Sequence, residues 1–166
     1  LLLYFLIKSH TDRLSEGEAW LRMAHEAADM GTWQHDVETG KIKFDERASR
    51  QYGFDGVDVL IGDVMSRVHP DDVSRLKQVV DRALDPNTGG RYSTEYRVVH
   101  PDGSIHWLGV QAFISFGSAG GKRRPVFSVG TSRDISVSKK AELQVRYFAR
   151  LYAALSQVNQ TIVRCN

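Results

Sequence analysis

YRVVHPDGSIHW, residues 96–107, sets two alternating runs on either side of Pro101-Asp102-Gly103. Asp-Gly supplies the positive backbone angles that tight hairpin turns demand, and a preceding proline presets the turn. The stretch reads as two antiparallel strands. Side chains alternate along a strand, so Tyr96 and Val98 point one way while Glu95, Arg97 and Val99 point the other. Ile105 and Trp107 share a face of the second strand, and His100 and His106 flank the turn, near each other across the pair.

Outward from the hairpin the period of two continues. RYSTEYRVVH (91–100), SIHWLGVQAFISF (104–116) and RPVFSVGTSRDIS (124–136) read as a meander of three long strands. Its second join is the glycine-rich tip GSAGGK (117–122). Upstream, TWQHDV (32–37) alternates as a strand, ETG (38–40) turns and KIKF (41–44) pairs back. Asp45 is placed to cap a short helix, ERASRQYGF (46–54). DVLIGDVMSRV (58–68) reads as short irregular helix and loop. In HPDDVSRLKQVVDRALD (69–85), Pro70 stands in the first turn of a longer helix, and Asp71 and Asp72 complement its positive end. Val73, Leu76, Val79 or Val80, and Leu84 form its buried stripe. The order of elements is ββαααβββ.

Helical period frames this core. Residues 14–30 carry a capping box, Ser15 with Glu18. Residues 136–165 are helical, with Phe148, Leu151, Leu155, Val158 and Ile162 stepping by three and four as a heptad seam. The leading LLLYFLIK has seven apolar residues before Lys8. Eight helical residues span only about 12 Å, against roughly 30 Å of bilayer core. Two readings stand for it: the cytoplasmic end of a membrane helix, with Lys8 and Arg13 on the inner side, or the apolar stripe of a linker helix. With no initiator methionine, the chain is expected to begin inside a longer protein.

A length of 166 residues suits one domain plus additional helix. A net charge of +2 gives no reason to expect a nucleic-acid partner, and Lys122-Arg123-Arg124 reads as a solvated hairpin tip. The single cysteine, Cys165, permits no disulfide framework within the chain, which fits a reducing compartment.

Catalytic patterns do not emerge. Zinc wants three or four closely spaced ligands, and His100 with His106 supplies two. His69, ahead of Pro70, reads as a helix-entry residue. There is no G-x-S-x-G elbow and no Cys–His pair. GSAGGK lacks the spacing of a phosphate loop and sits between strands. The chain is expected to be no enzyme.

These residues carry a resemblance. YRVVHPDGSIHW together with VGTSRDISVSKKAE (129–142) resembles the closing half of a PAS sensor domain, whose Asp-Ile-Thr ending is here Asp134-Ile135-Ser136. AADMGTWQHDVETGKIKFDERASRQYGF (27–54) resembles the family's first strand pair and helix. VHPDDVSRL (68–76) is similar to the helix entry of its His-Pro-Asp subgroup. The resemblance implies an α+β PAS fold: a five-stranded antiparallel sheet with helices on one face, flanked by N- and C-terminal signalling helices. It implies a PAS domain with PAC ending over 18–142, preceded at 1–17 by a linker helix or membrane-helix end. Residues 143–166 resemble a linker and the first helix of a GAF domain.

The implied function is that of a non-catalytic sensory and dimerisation module in a bacterial signalling protein, cytoplasmic or on the cytoplasmic side of the inner membrane. A diguanylate cyclase or phosphodiesterase (cyclic di-GMP) is the expected output. A sensor histidine kinase, or a structural PAS spacer that binds nothing, is the alternative. Cys165 lies outside the domain, so the thiol that covalent flavin or chromophore members use is missing from its helical middle. Haem-binding members use a histidine on the long helix, and 71–84 holds none. A small organic ligand stays open, with Trp33, Phe44, Tyr52, Met65, Leu76, Val80, Tyr96, Trp107 and Val129 as candidate lining. Asp134, Ile135 and Ser136 are expected to couple the sheet to the exit helix, Asp134 or Ser136 as its cap. Arg97 and Arg133 are candidate ion-pair partners of Glu95 or Asp134. The expected partners are a second copy, through flanking helices and a sheet face, and the output domain of the same chain.

Overall fold

Asp36 ends the first strand, β1 (Gly31–Asp36), and makes the turn that follows, its carboxylate accepting from the Glu38 and Thr39 amides at 3.0 and 2.9 Å. The chain returns as β2 (Lys41–Phe44), with Trp33 opposite Phe44. The computed structural model describes residue 23 and residues 28–119 and 121–164. The helix read over 14–30 lies almost wholly outside the described residues, as does LLLYFLIK.

Asp45 does two things at once. One carboxylate oxygen caps α1 (Glu46–Tyr52) at the Ala48 amide, 2.7 Å away. The other accepts from the Thr32 amide (2.7 Å) and hydroxyl (2.8 Å), tying the helix start to β1. Gly53 closes the helix at φ 73°, a left-handed angle that costs glycine little. Asp45→Ala removes a cap and a cross-link together. Its expected cost in urea unfolding is about 2 kcal/mol; a loss below about 0.5 kcal/mol would mean that water replaces both.

A three-residue strand, β3 (Asp58–Leu60), follows and pairs with β2. The sheet therefore has six strands where five were expected. Only Val59 of β3 is partly buried, so its sequence carries no alternation to read. After α2 (Ile61–Arg67), Pro70 opens α3 (Pro70–Leu84), where the His69 ring accepts from the Asp71 amide at 3.3 Å. Leu76 and Ala83 of α3 are buried, and Val73 and Val80 pack on the core beside them.

The meander is β4 (Arg91–Val99), β5 (Ile105–Ala119) and β6 (Lys122–Asp134). β6 pairs with β1, giving the antiparallel order β3-β2-β1-β6-β5-β4. The core lies between one sheet face and the helices: Trp33, Ile42 and Phe44 from β1 and β2, Tyr96, Val98, Leu108, Val110 and Ala112 from β4 and β5, closed by Tyr52, Val64 and Leu76.

This compact unit ends at Asp134. The second unit is α4 (Ser136–Arg164), 29 residues or about 44 Å long. Of the expected seam, Phe148, Leu151 and Leu155 are exposed, and the side chains of Val158 and Ile162 lie outside the described residues. Among the described residues no helix is long and apolar enough to cross a membrane.

Candidate functional site

Between sheet and helices lies a cavity of about 490 Å³. Its floor is the core face of β1 and β2, its walls are Tyr92, Tyr96 and Ile114 from β4 and β5, and its roof is α2 and α3. Seven of the nine expected lining residues meet there: Trp33, Phe44, Tyr52, Met65, Leu76, Val80 and Tyr96. Phe44 and Tyr52 stack with ring centroids 4.9 Å apart.

Trp107 and Val129 do not reach this cavity, which corrects their placement. Directly paired residues of an antiparallel ladder point to the same face. Tyr96 pairs with Leu108 and Arg97 with Trp107, so Leu108, Val110 and Ala112 face the core and Trp107 faces outward. On β6 the buried parity belongs to Ser128 and Ser132, and Val129 is turned away. Val129 instead borders an open concavity of about 770 Å³ on the outer sheet face, with Gln111, Phe113 and Thr131.

The cavity's polar groups are few. The Tyr52 and Tyr96 hydroxyls share one hydrogen bond, and burial pushes both above the ordinary phenol range. Burial alone pushes the Tyr92 hydroxyl up to about 12. His35, two residues after Trp33 on the same strand face, also lines the cavity; burial holds its pKa below the ordinary 6.5. Its Nδ1 lies 3.4 Å from the Ser128 hydroxyl. Trp33 Nε1 and His35 Nε2 are buried and meet no hydrogen-bond partner among the described residues. Lys77 and Asp81 of α3 are exposed and form the rim. His35, Tyr92 and Ser128 were not in the expected lining. Strand alternation was the signal for His35, since it repeats the facing of Trp33.

Arg97 corrects a second expectation. It engages neither Glu95 nor Asp134; its side chain reaches Asp72, Nε to Oδ2 at 2.9 Å and Nη2 to Oδ1 at 3.0 Å, with Asp71 at 3.3 Å. Its backbone N–H also donates to Asp72 (2.9 Å), and Arg75 donates to the Glu95 carbonyl (2.7 Å). β4 is an edge strand, and α3 thereby covers part of its open ladder. The guanidinium also lies 5.4 Å over the Trp107 ring.

Asp134, the last residue of β6, meets His106 Nδ1 at 2.9 Å. The His106 and His100 rings stack at 4.1 Å, as expected from the hairpin. His100 Nε2 lies 3.0 Å from the Gln51 carbonyl, and the Gln51 side chain accepts from Ser132 at 2.7 Å. The end of β6 is thus joined through two imidazoles to the last turn of α1. The described residues contain no group of three or more histidine, cysteine, aspartate or glutamate side chains placed to hold a metal ion.

A family model described as the PAS fold matches residues 41–129, more than half of the chain. Solved structures share the architecture. A sensory box histidine kinase/response regulator from Burkholderia thailandensis is 22% identical with a TM-score of 0.69, over 81% of this chain and 98% of its own. A PAS domain from Colwellia psychrerythraea is 22% identical with a TM-score of 0.52, over 70% and 97%. The N-terminal domain of a diguanylate cyclase with PAS/PAC sensor from Marinobacter aquaeolei is 18% identical with a TM-score of 0.55, over 66% and 98%. At these identities the likeness concerns the fold. No curated protein sequence matches the chain.

Proposed function

Because the chain belongs to the PAS fold family, we propose that it is the non-catalytic sensory and regulatory module of a larger bacterial signalling protein, with a small organic ligand as its input. The observation that carries this is the cavity of about 490 Å³, in which aromatic and aliphatic side chains surround a few buried polar atoms. Ligand sites are mostly apolar with a small number of placed polar groups. The test is an absorption spectrum with paired native and denaturing mass spectra of freshly purified protein. A mass difference shared by most molecules supports an occupied site. A mass equal to the bare chain, unchanged by incubation with cell extract, favours a spacer that binds nothing.

In this proposal the domain spans 18–142 with a PAC-type ending, 1–17 is a linker or membrane-helix end, and 143–166 begins a GAF-like segment. The output is a diguanylate cyclase or phosphodiesterase, with a histidine kinase as the second reading; the names of the Marinobacter and Burkholderia neighbours supply one of each. The module sits in the cytoplasm and pairs with a second copy. The exposed Phe148, Leu151 and Leu155 of α4 support that pairing.

Asp134, Ile135 and Ser136 pass the signal from β6 to α4, with Arg97 holding the edge strand β4 in place. The His106–Asp134 contact supports this, because it ties the strand end to α1 through His100. Both partners are only partly buried, so losing the pair costs about 1 kcal/mol or less. Asp134→Ala is therefore expected to leave the thermal transition nearly unchanged while full-length output stops following its stimulus. A normal stimulus response in that variant would end the coupling role.

A further inference from the structure

Two buried nitrogens on one strand face have no partner among the described residues. Trp33 is 7% exposed, yet its indole N–H, which can only donate, meets no acceptor among the described residues. Leaving such a group unpaired is costly, because it gives up its bond to water and gains none in return. His35 Nε2 repeats the situation two residues along β1, roughly 6–7 Å away at the rise of a strand. Both residues line the same cavity. On the same lining, Tyr52 and Tyr96 carry two hydroxyl protons, and only one spans the bond between them. The second proton is left to point elsewhere.

The rest of the lining excludes charge. Among the described residues its only formal charges are Lys77 and Asp81, which stand exposed at the rim and are of opposite sign. His35 is held toward its neutral form by burial. An ionised group placed among Ile42, Phe44, Val64 and Leu76 would be desolvated without a counter-charge, at a cost that neutral molecules escape. The stacked Phe44 and Tyr52 rings favour a flat occupant.

We propose that the cavity selects a neutral, flat, largely apolar molecule bearing a hydrogen-bond acceptor, which takes the indole N–H of Trp33 with the His35 imidazole as the neighbouring polar contact. This rests on the reading of the domain as a ligand sensor, and names the class of ligand. Acids and amines are rejected by the missing counter-charge; hydrocarbons of the same shape are disfavoured because they leave the indole unpaired.

The test uses the full chain and three matched probes: 2-acetylnaphthalene, 2-ethylnaphthalene and 2-naphthoate. Binding is followed by the methyl resonances of Ile42, Val64 and Leu76 and by the indole N–H resonance of Trp33. The ketone is expected to bind about tenfold more tightly than the hydrocarbon, the worth of one buried hydrogen bond. It should also move the Trp33 N–H downfield where the hydrocarbon does not, and the carboxylate should bind weakest. In Trp33→Phe the advantage of the ketone should vanish while the hydrocarbon keeps its affinity within about threefold. The wild-type indole resonance decides the matter even if that variant folds poorly. Equal affinity for ketone and hydrocarbon, or preference for the carboxylate, would overturn the ligand class and leave the sensor reading standing. If none of the three disturbs the cavity methyls at the highest soluble concentration, the ligand class is overturned, and the mass spectra alone decide the sensor reading.

Discussion

Asp72→Ala is expected to lower the stability of the domain by about 3–4 kcal/mol in urea unfolding, the range for breaking a buried ion pair from one side. Asp72 is 6% exposed. It holds Arg97 by the backbone N–H, Nε and Nη2, and Arg75 lies 3.7 Å away. Truncation leaves a partly buried guanidinium with only the exposed Asp71 carboxylate, and opens the edge ladder of β4. Acid should act on the same group. Hydrogen bonds from Arg97 hold the Asp72 carboxyl at about 2, below its ordinary 3.8. A depressed carboxylate stabilises the fold above its unfolded pKa. Its contribution, about 2 kcal/mol, is then complete above about pH 5 and is lost as pH falls from about 4 toward 2. Stability measured across that window should fall steeply in the wild type, and less so in Asp72→Asn. An identical acid slope in the two would show that Asp72 is not the group responsible.

Asp72 also marks a boundary of what could be read from the chain. Its position in the first turn of α3 was legible, and so was a favourable dipole interaction. Its partner was not, because Arg97 is 25 positions away and the choice among Asp72, Glu95 and Asp134 depends on which strand lies at the edge. The hairpin at Asp102-Gly103, the Asp45 cap and the Pro70 helix start were legible because each is local chemistry. Turn angles and free amides are set by residues within four positions. The lining of the cavity was legible where the strand parity was anchored, as for Tyr96 with Val98. It went astray for Trp107 and Val129. For these two, aromatic or aliphatic character outweighed register, and a single step along a strand changes the face. β3 left no trace, since three residues with one partly buried side chain have no period. That the Trp33 and His35 nitrogens meet no partner among the described residues could not be foreseen at all: whether a buried polar atom finds one is a property of packing.

Gly130→Ala is expected to cost about 3 kcal/mol and to close the cavity of the proposed ligand. Trp33 pairs with Gly130 across β1 and β6, and its indole lies over the bare backbone there. A methyl group on residue 130 would come 2.2 Å from Cζ2 of the ring, 2.4 Å from Cε2 and 2.6 Å from the Gln111 carbonyl. No real side chain tolerates these distances, and the carbonyl belongs to the sheet and cannot swing aside. The indole must give way, and its free side is the cavity, which it already lines. The cost is that of overpacking a central sheet, equivalent to a fall of about 10 °C in Tm. Two readouts should move together: the melting temperature drops, and 2-acetylnaphthalene loses more than tenfold in affinity as the ring enters its site. Gly62→Ala supplies the contrast. Gly62 lies within α2 with nothing inside 4 Å of an added methyl. That substitution should stabilise by about 0.5–1 kcal/mol through helix propensity alone, with probe binding unchanged. If Gly130→Ala instead melts like the wild type and keeps its affinity for the ketone, the indole is free to leave Gly130 without entering the cavity. The link between the strand pairing and the cavity would then be absent.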